Sequence, residues 1–587
     1  MSRGPERDHG PSALAARLAA LADRLERSRG PVVLVAEDLQ VHADALADLT
    51  DDPRQTTAAL VSRAGVSSDV RATGPADVRM RAGRLAAASS PVHRVASPDA
   101  AFTGALRVAD ADRVVAAAGA RAAAELARAA GWRGDPVDYL LVALVRAEVP
   151  VTAVTTDPWP WRRGAGGTQH VDFRAELDQL GPERSHALRL ARAGKAEDGA
   201  WATVVSRPLS RRLTPLALRL GLTPNQVTLA SFVVGLTAAA CFATGDRVLL
   251  VVGALLLQLS LVVDCVDGDV ARYTRSFSAT GAWLDASTDR LKEFACYGGL
   301  AWGAGAGAEG WLLAAAMLTL QTVRHTVDYT FTAVKELREA DAEVQPPLAE
   351  PADRTAVGGS ASARAVTASE RSNRRPAVKW AKRGLHLSIG ERWAVLSVLA
   401  AAGRPVLALG VLLGLGLVSF AYTAAGRTLR ARSWARGEPS LREREIVAAQ
   451  VDAGPLLPGA GVRVAGSAAS QFRWARPAVL RLLEYSAVLV LVRALATDAT
   501  PAAFALLLVT ASHHYDDLYR VLHRLAPAAA GLRALGLGMA GRLLLLAVLA
   551  VLGERVLEGG LWVLAAWLGI LFVVVEPVRV LREVRSG

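Results

Sequence analysis

Asp264, Asp267, Asp285 and Asp289 stand at fixed spacing inside DCVDGDVARYTRSFSATGAWLDASTD (264–289), with long apolar runs on both sides. Ionised acids in such a setting are costly unless a cation binds them. The i,i+3 and i,i+4 spacings put each pair on one helix face. With Asp264 and Asp267 ending one spanning helix and Asp285 and Asp289 beginning the next, the two pairs form a four-carboxylate cage. Such a cage suits one or two hard divalent ions such as magnesium or manganese, which prefer oxygen ligands and leave positions for substrate phosphate and water. Gly268 permits close backbone approach beside the cage, and Gly281 lets the returning helix pack closely or a ligand slide past. Arg272 adds a forked donor suited to phosphate oxygens. A metal site open to a diphosphate, with a carboxylate to take the proton from an attacking hydroxyl, is equipped for displacement at phosphorus.

The elements that must position these groups are membrane helices. The chain has 587 residues, 52% of them hydrophobic and only 21% charged, with a mean hydropathy of +0.27, an apolar excess unlike that of an ordinary soluble enzyme. Apolar runs, most of them close to or above the about 18–22 residues that span a bilayer, fall near 226–244, 248–265, 279–304, 309–334, 389–403 and 405–425, the fifth being short unless it begins before Ser388. Four more follow near 478–496, 500–512, 533–553 and 559–577, giving about ten spans, six of them in the central unit. The linker carries Arg371, Arg374, Arg375, Lys379, Lys382 and Arg383 without an acid, and Arg427, Arg430, Arg432 and Arg436 follow the sixth run. By the positive-inside rule both termini and the Asp-rich stretch face the cytoplasm, in a multi-pass cell-membrane protein. The net charge of +12 is matched to anionic lipid head groups and anionic substrates rather than to nucleic acid. Three cysteines, none in a CxxC pair, point to neither a disulfide framework nor a zinc site.

Before the first apolar run, residues 1–195 read as a soluble α/β domain. Leu14, Leu18, Leu21 and Leu25 form one helical stripe. Strand-like runs at PVVLVAEDL, FTGALRVA (102–109) and VPVTAVTT (149–156) alternate with helices at 112–130 and 136–147, which predicts a mostly parallel sheet. Glu37 and Asp38 end the first strand as solvated loop acids or remnants of a metal site. The start of the chain has no continuous apolar core or cleavage site, so this domain is expected in the cytoplasm. In the bridge 196–225, Leu209, Leu213, Leu216 and Leu220 share a stripe away from Arg207, Arg211, Arg212 and Arg219, the pattern of an interfacial helix. Thr223-Pro224-Asn225 ends it and opens the first span. Residues 340–375, rich in Ala, Ser, Pro, Glu and Arg, read as partly disordered.

The spacing D-x2-DG-x2-AR-x8-G-x3-D-x3-D resembles the signature of the CDP-alcohol phosphotransferase family of integral membrane enzymes, matched at every defining position. The resemblance implies six spans over about 205–430, two metal ions, a CDP-linked donor, release of CMP, and transfer of the phospho-alcohol to a second alcohol; the six-span domain itself is read as 226–430. By the same resemblance Asp264, Asp267, Asp285 and Asp289 are metal ligands, Asp289 is also the general base, and Gly268, Ala271, Arg272 and Gly281 face the CDP group. Dimerisation through the spans is a further family-level expectation. The N-terminal domain is similar to part of a sugar-phosphate nucleotidyltransferase but lacks the Gly-rich loop that cradles nucleotide phosphates, so it is expected to be inactive. The arrangement over about 30–430, most closely over 198–300, resembles bifunctional inositol-phosphate cytidylyltransferase and di-inositol-phosphate phosphate synthase proteins, which implies a polyol-phosphate acceptor. Synthesis of phospholipid from CDP-diacylglycerol, and a transporter or scaffold without turnover, remain as alternative readings.

Three further cations, Arg324, Arg392 and Arg427, are candidates for holding an acceptor phosphate, or snorkel to the interface. Residues 431–587 extend beyond this unit as an accessory membrane domain. Within it, SHHYDDLYRVLHRL (512–525) offers His513, His514, Asp516, Asp517 and His523 either as metal ligands or as an interfacial helix anchored by Tyr515 and Tyr519.

Overall fold

The computed structural model describes residues 11–51, 56–63, 77–81, 83–90, 95, 98–163, 173, 177, 180–195, 198–344, 375–432, 434, 439–452, 454–466, 471–522 and 530–575. Most of the 340–375 stretch read as partly disordered lies outside them, as do Arg371, Arg374, Arg436 and His523. The chain divides into two units: one runs to Arg192 and takes in Tyr273–Arg275, the other comprises Ala193–Arg272 and Ser276 onward.

In the first unit the predicted leucine stripe is the buried face of α1 (Pro11–Arg27). It packs on α3 (Arg113–Ala130), which follows α2 (Ala43–Thr50) in the chain. The buried face of α3 is all alanine (Ala116, Ala117, Ala120, Ala123, Ala124 and Ala127), and such small side chains allow close helix approach. The next helix, α4 (Pro136–Arg146), starts at an Asp135 cap whose side chain accepts from the Val137 N–H.

The sheet differs from the expectation. Its strands are β1 (Val32–Val35), β3 (Ala58–Ser62), β4 (Asp77–Arg81), β5 (Arg84–Ala88), β6 (Ala100–Val108) and β7 (Thr152–Thr155), in the order β1-β6-β3-β7-β5-β4, while β2 (Leu39–Val41) pairs separately with β8 (Trp161–Arg163). Only β3 and β7 run parallel; β1–β6, β3–β6, β4–β5, β4–β6 and β5–β7 are antiparallel. The sheet is therefore mixed rather than mostly parallel. The alternation of strands and helices predicts parallel crossovers only if no strands intervene. Here β3, β4 and β5, five residues each and the last two interrupted by arginines, come between β1 and β6 in the chain, and β4 and β5 join as a hairpin.

The two acids after β1 are neutralised by arginines. Glu37 pairs with Arg17 at 3.0 Å, and Asp38 with Arg163 at 2.9 Å. Arg163 is buried and also holds Asp138 through two hydrogen bonds, 2.7 and 3.0 Å long. Burial pushes the Asp138 carboxyl above its ordinary range, and the Arg163 guanidinium opposes this. Gly104 in β6, at φ +103°, makes room for that guanidinium: a Cβ there would lie 3.2 Å from Arg163 Cζ.

The second unit is helical. After α5 (Pro182–Ala193), whose residues to Arg192 belong to the first unit, its helices are α6 (Arg207–Arg219), α7 (Pro224–Ala243), α8 (Arg247–Thr274), α9 (Ala279–Gly303), α10 (Gly307–Val344), α11 (Pro376–His386), α12 (Ile389–Ala401) and α13 (Pro405–Arg432). The C-terminal part adds α14 (Leu441–Ala449), α15 (Ala460–Gly466), α16 (Arg476–Leu495), α17 (Thr500–Leu522), α18 (Ala530–Leu535), α19 (Gly538–Val551) and α20 (Glu554–Ile570). Among the described residues each of the ten apolar runs lies mainly in helix. Among the described residues five helices are long and apolar enough to cross a membrane: Pro224–Ala243, Arg247–Thr274, Pro405–Arg432, Arg533–Val551 and Glu554–Val575. The remaining runs are short, as α12 is, or carry ionisable groups, as α9 does with Asp285, Asp289, Arg290, Lys292 and Glu293.

On α6 the buried residues are Arg207, Ser210, Thr214 and Ala217; Leu209 and Leu216 are exposed together with Arg211, Arg212 and Arg219, and Leu213 of the predicted stripe is half-buried. Leucines and arginines exposed together on one short helix suit the boundary between lipid and head groups. Two further features set the position of α9. A capping box between Thr223 and Gln226 starts α7. Gly299 and Gly303 on α9 then lie against the α7 backbone, where a Cβ would fall 2.4 Å from the Ala239 carbonyl oxygen and 2.1 Å from that of Phe242.

Replacing Arg163 with Met would leave Asp138 buried without its cation, a change that costs about 3–5 kcal/mol. Thermal unfolding of the full chain followed by fluorescence should show its lowest transition shifted down by several degrees. An unchanged transition would show that the Asp38–Arg163–Asp138 bridge carries no stability.

Candidate active site

Two consecutive helices, α8 and α9, deliver the four motif acids. Asp264 and Asp267 lie one turn apart near the end of α8, and Asp285 and Asp289 one turn apart in the first half of α9, whose start is fixed by the Ser278 side chain accepting from the Gly281 N–H at 2.9 Å. Asp264, Asp267 and Asp285 bring one carboxylate oxygen each to within 4.8 Å of one another. Hydroxyls from α7 orient two of them: Thr228 donates to Asp267 at 2.7 Å and Ser231 to Asp264 at 3.2 Å. Three convergent carboxylate oxygens are a donor set that fits a hard divalent cation. Asp289 stands beside this trio, with Oδ1 3.0 Å from Lys292 Nζ and Oδ2 3.9 Å from Arg290 Nη2.

The small motif residues are close-approach points. A Cβ on Gly281 would lie 3.0 Å from Asn225 Oδ1, so the start of α9 presses on the start of α7. A Cβ on Gly268 would meet the Arg272 guanidinium at 3.1 Å. Ala271, half-buried, lies on α8 beside these groups. Arg272 itself is partly engaged: Nη2 lies 2.7 Å from Asp269 Oδ1 and Nε donates to the Ala193 carbonyl.

Three charged residues at this site are not marked by the motif spacing. Asp269 is buried and receives Arg207, Arg272, Ser210 and Thr214, which fastens the polar face of α6 to α8. Lys292 is fully buried, 2.7 Å from Asp264 Oδ1. Glu293, one turn beyond Asp289, is bound by Arg392 at 2.6 and 3.0 Å, by Arg290 at 2.9 Å and by the Tyr297 hydroxyl at 2.7 Å. The sequence signal for Lys292 and Glu293 is their ionisable character inside an apolar run, which by itself marks an intramembrane function or pairing.

The acceptor-phosphate candidates are likewise partnered. Arg392 is tied to Glu293, Arg324 donates to the carbonyls of His386 and Leu387, and Arg427 pairs with Asp328 at 2.7 Å. Arg290, Arg324, Arg392 and Arg427 outnumber Glu293 and Asp328, so the region keeps a positive excess after pairing.

In the C-terminal part, the residues of 512–522 do not converge on a metal. His513 contacts the Leu568 carbonyl, and His514 contacts the Tyr485 hydroxyl and, at 3.4 Å, Asp452. Asp516 accepts from Trp283 Nε1 at 2.8 Å and from Arg520 at 2.7 Å. Tyr515 and Tyr519 are buried rather than interfacial anchors. Tyr515 contacts His325 of α10 and packs against Phe294 of α9, because α17 fits between helices and not at a lipid boundary.

Comparison with known proteins agrees with this geometry. The model of the CDP-alcohol phosphatidyltransferase family matches residues 221–349, and that of a family of unknown function (DUF5941) matches residues 421–585. The chain is 28% identical over 204 residues to a bifunctional IPC transferase and DIPP synthase of Aquifex aeolicus, covering 33% of this chain and 43% of that protein. It is 40% identical over 88 residues to an archaetidylinositol phosphate synthase of Methanothermobacter thermautotrophicus (15% and 44%), and 35% identical over 122 residues to a phosphatidylinositol phosphate synthase of Mycolicibacterium smegmatis (21% and 54%). The chain thus spans about half the length of the curated relatives it matches. The α7–α10 region, with its three convergent carboxylates, lies within the stretch that matches the CDP-alcohol phosphatidyltransferase family model, the family that the motif resembles.

Proposed function

We propose that the protein transfers a phospho-alcohol from a CDP-linked donor to the hydroxyl of a second alcohol and releases CMP, in a reaction that needs a divalent ion such as magnesium or manganese. The observation that carries this reading is the convergence of Asp264, Asp267 and Asp285 from two successive helices, with Asp289 one turn along. Asp264, Asp267 and Asp285, with Asp289 beside them, would hold the metal. A divalent ion there supplies charge neutralisation for the diphosphate and the leaving phosphate. Gly268, Ala271, Arg272 and Gly281 line the CDP group. Asp289 takes the proton from the acceptor hydroxyl as its oxygen bonds to phosphorus and the bond to the CMP oxygen breaks.

The acceptor is a phosphorylated polyol such as inositol phosphate. Relatives named for inositol phosphate products support this, as does the excess of guanidinium groups around Glu293 and Asp328, which suits an acceptor phosphate. The ten helical runs would cross the membrane, with the acids and both termini at the cytoplasmic face, and the chain would work as a homodimer. The N-terminal unit is inactive as a nucleotidyltransferase in this reading: Glu37 and Asp38 are engaged by arginines.

In purified protein with magnesium, a CDP-alcohol and inositol phosphate, Asp289→Asn should reduce CMP release by about 10²–10⁴-fold, the usual contribution of a general base. Chelation by EDTA should abolish release, and added magnesium should restore it. CMP release untouched by both treatments would remove the assignment and favour a transporter or scaffold. With labelled inositol phosphate, a product that stays in the aqueous phase identifies a water-soluble donor alcohol, whereas label moving into organic solvent identifies CDP-diacylglycerol as the donor and the protein as a phospholipid synthase.

A further inference from the structure

Lys292 lies on α9 with no side-chain exposure. Its ammonium is 2.7 Å from Asp264 Oδ1 and 3.0 Å from Asp289 Oδ1, and it donates to Ser231 Oγ at 2.8 Å. The Trp393 ring centroid is 5.5 Å away. Room for the aliphatic stem comes from Gly235 on α7, where a Cβ would fall 2.6 Å from Lys292 Cδ and 2.7 Å from Cγ. Burying an ammonium is costly unless carboxylates and hydrogen-bond acceptors enclose it. The surroundings of Lys292 meet that requirement, so the position between Asp264 and Asp289 is built for a cation. The trio Asp264, Asp267 and Asp285 is a separate convergence that excludes Asp289.

We propose that Lys292 fills the cation position between Asp264 and Asp289, so that in the absence of nucleotide the cage loads one divalent ion, on Asp264, Asp267 and Asp285, instead of the two that the motif implies. The inference rests on the metal reading given above. Four carboxylates set against one ammonium and one divalent ion leave a single net negative charge. A second divalent ion would make the cage net positive and sit beside the buried ammonium, where little water screens the repulsion. The diphosphate of a bound nucleotide brings the negative charge that a second ion needs. Lys292 acts through Asp264 and Asp289 and is therefore a positioning residue.

The test counts Mn²⁺ bound to the purified full chain in lipid nanodiscs without nucleotide, by electron paramagnetic resonance of the free ion. Wild type should bind one Mn²⁺ per chain, Lys292→Arg one, and Lys292→Met two. Two ions in the wild type, or one in a folded Lys292→Met variant, overturns the inference. The wild-type count stands as a test even where Lys292→Met does not fold. Wild-type protein that binds no Mn²⁺ removes the metal reading itself, a result distinct from a count of two, which leaves that reading intact and removes only the role of Lys292.

Discussion

A carboxylate placed among apolar helices has little water to stabilise it, so each one needs a partner from a neighbouring helix. In the second unit this requirement ties the helices together. Asp269 on α8 holds Arg207 of α6, Asp264 on α8 holds Lys292 of α9, and Glu293 on α9 holds Arg392 of α12. Asp328 on α10 holds Arg427 of α13, and Glu484 on α16 holds Arg542 of α19. Removing one member of a buried pair leaves an uncompensated charge and costs about 3–5 kcal/mol. The pairs therefore specify which helices are neighbours at least as much as they add stability.

Close contact between backbones completes the arrangement. Lipid offers helices little hydrophobic drive to associate, so association depends on packing and polar contacts. Gly299 and Gly303 bring α9 against α7, and Gly281 brings the start of α9 against Asn225. That approach puts Thr228 and Ser231 within hydrogen-bonding distance of Asp267 and Asp264. Gly235 on the same helix admits the Lys292 stem. One helix, α7, thus orients the acids and makes room for the cation that offsets them.

Much of the site was legible in the sequence because its spacing matches helical geometry. The i,i+3 and i,i+4 acids fall on α8 and α9, and Thr223 caps the start of α7 at the boundary expected from Thr223-Pro224-Asn225. What was not legible depends on partners distant in the chain. Asp269 looks like another motif acid until Arg207 and Ser210 reach it, and Lys292 gains its meaning only from Asp264, 28 residues earlier. In the first unit, β4 and β5 carry arginines at 79, 81 and 84 and lack the apolar continuity of β6, so the antiparallel pairing they bring is hidden. Tyr515 and Tyr519 have the composition of interfacial anchors, but composition alone does not tell a lipid boundary from a helix interface.

The C-terminal segment gains a physical role from the same reasoning. Trp283, two residues before Asp285, donates its indole N–H to Asp516 of α17, and Arg520 holds that carboxylate from one turn along. About three turns further on α9, Phe294 meets Tyr515, whose hydroxyl contacts His325 of α10. The helix that carries Asp285 and Asp289 is therefore gripped on both sides of those acids by a single helix of the family of unknown function. The convergence of carboxylate oxygens from α8 and α9 holds only while the register of the two helices is kept to a fraction of an ångström. A fixed polar contact at Trp283 and a packed ring at Phe294 constrain the register of α9 at two points, so α17 restrains the same helix that Gly299 and Gly303 seat against α7.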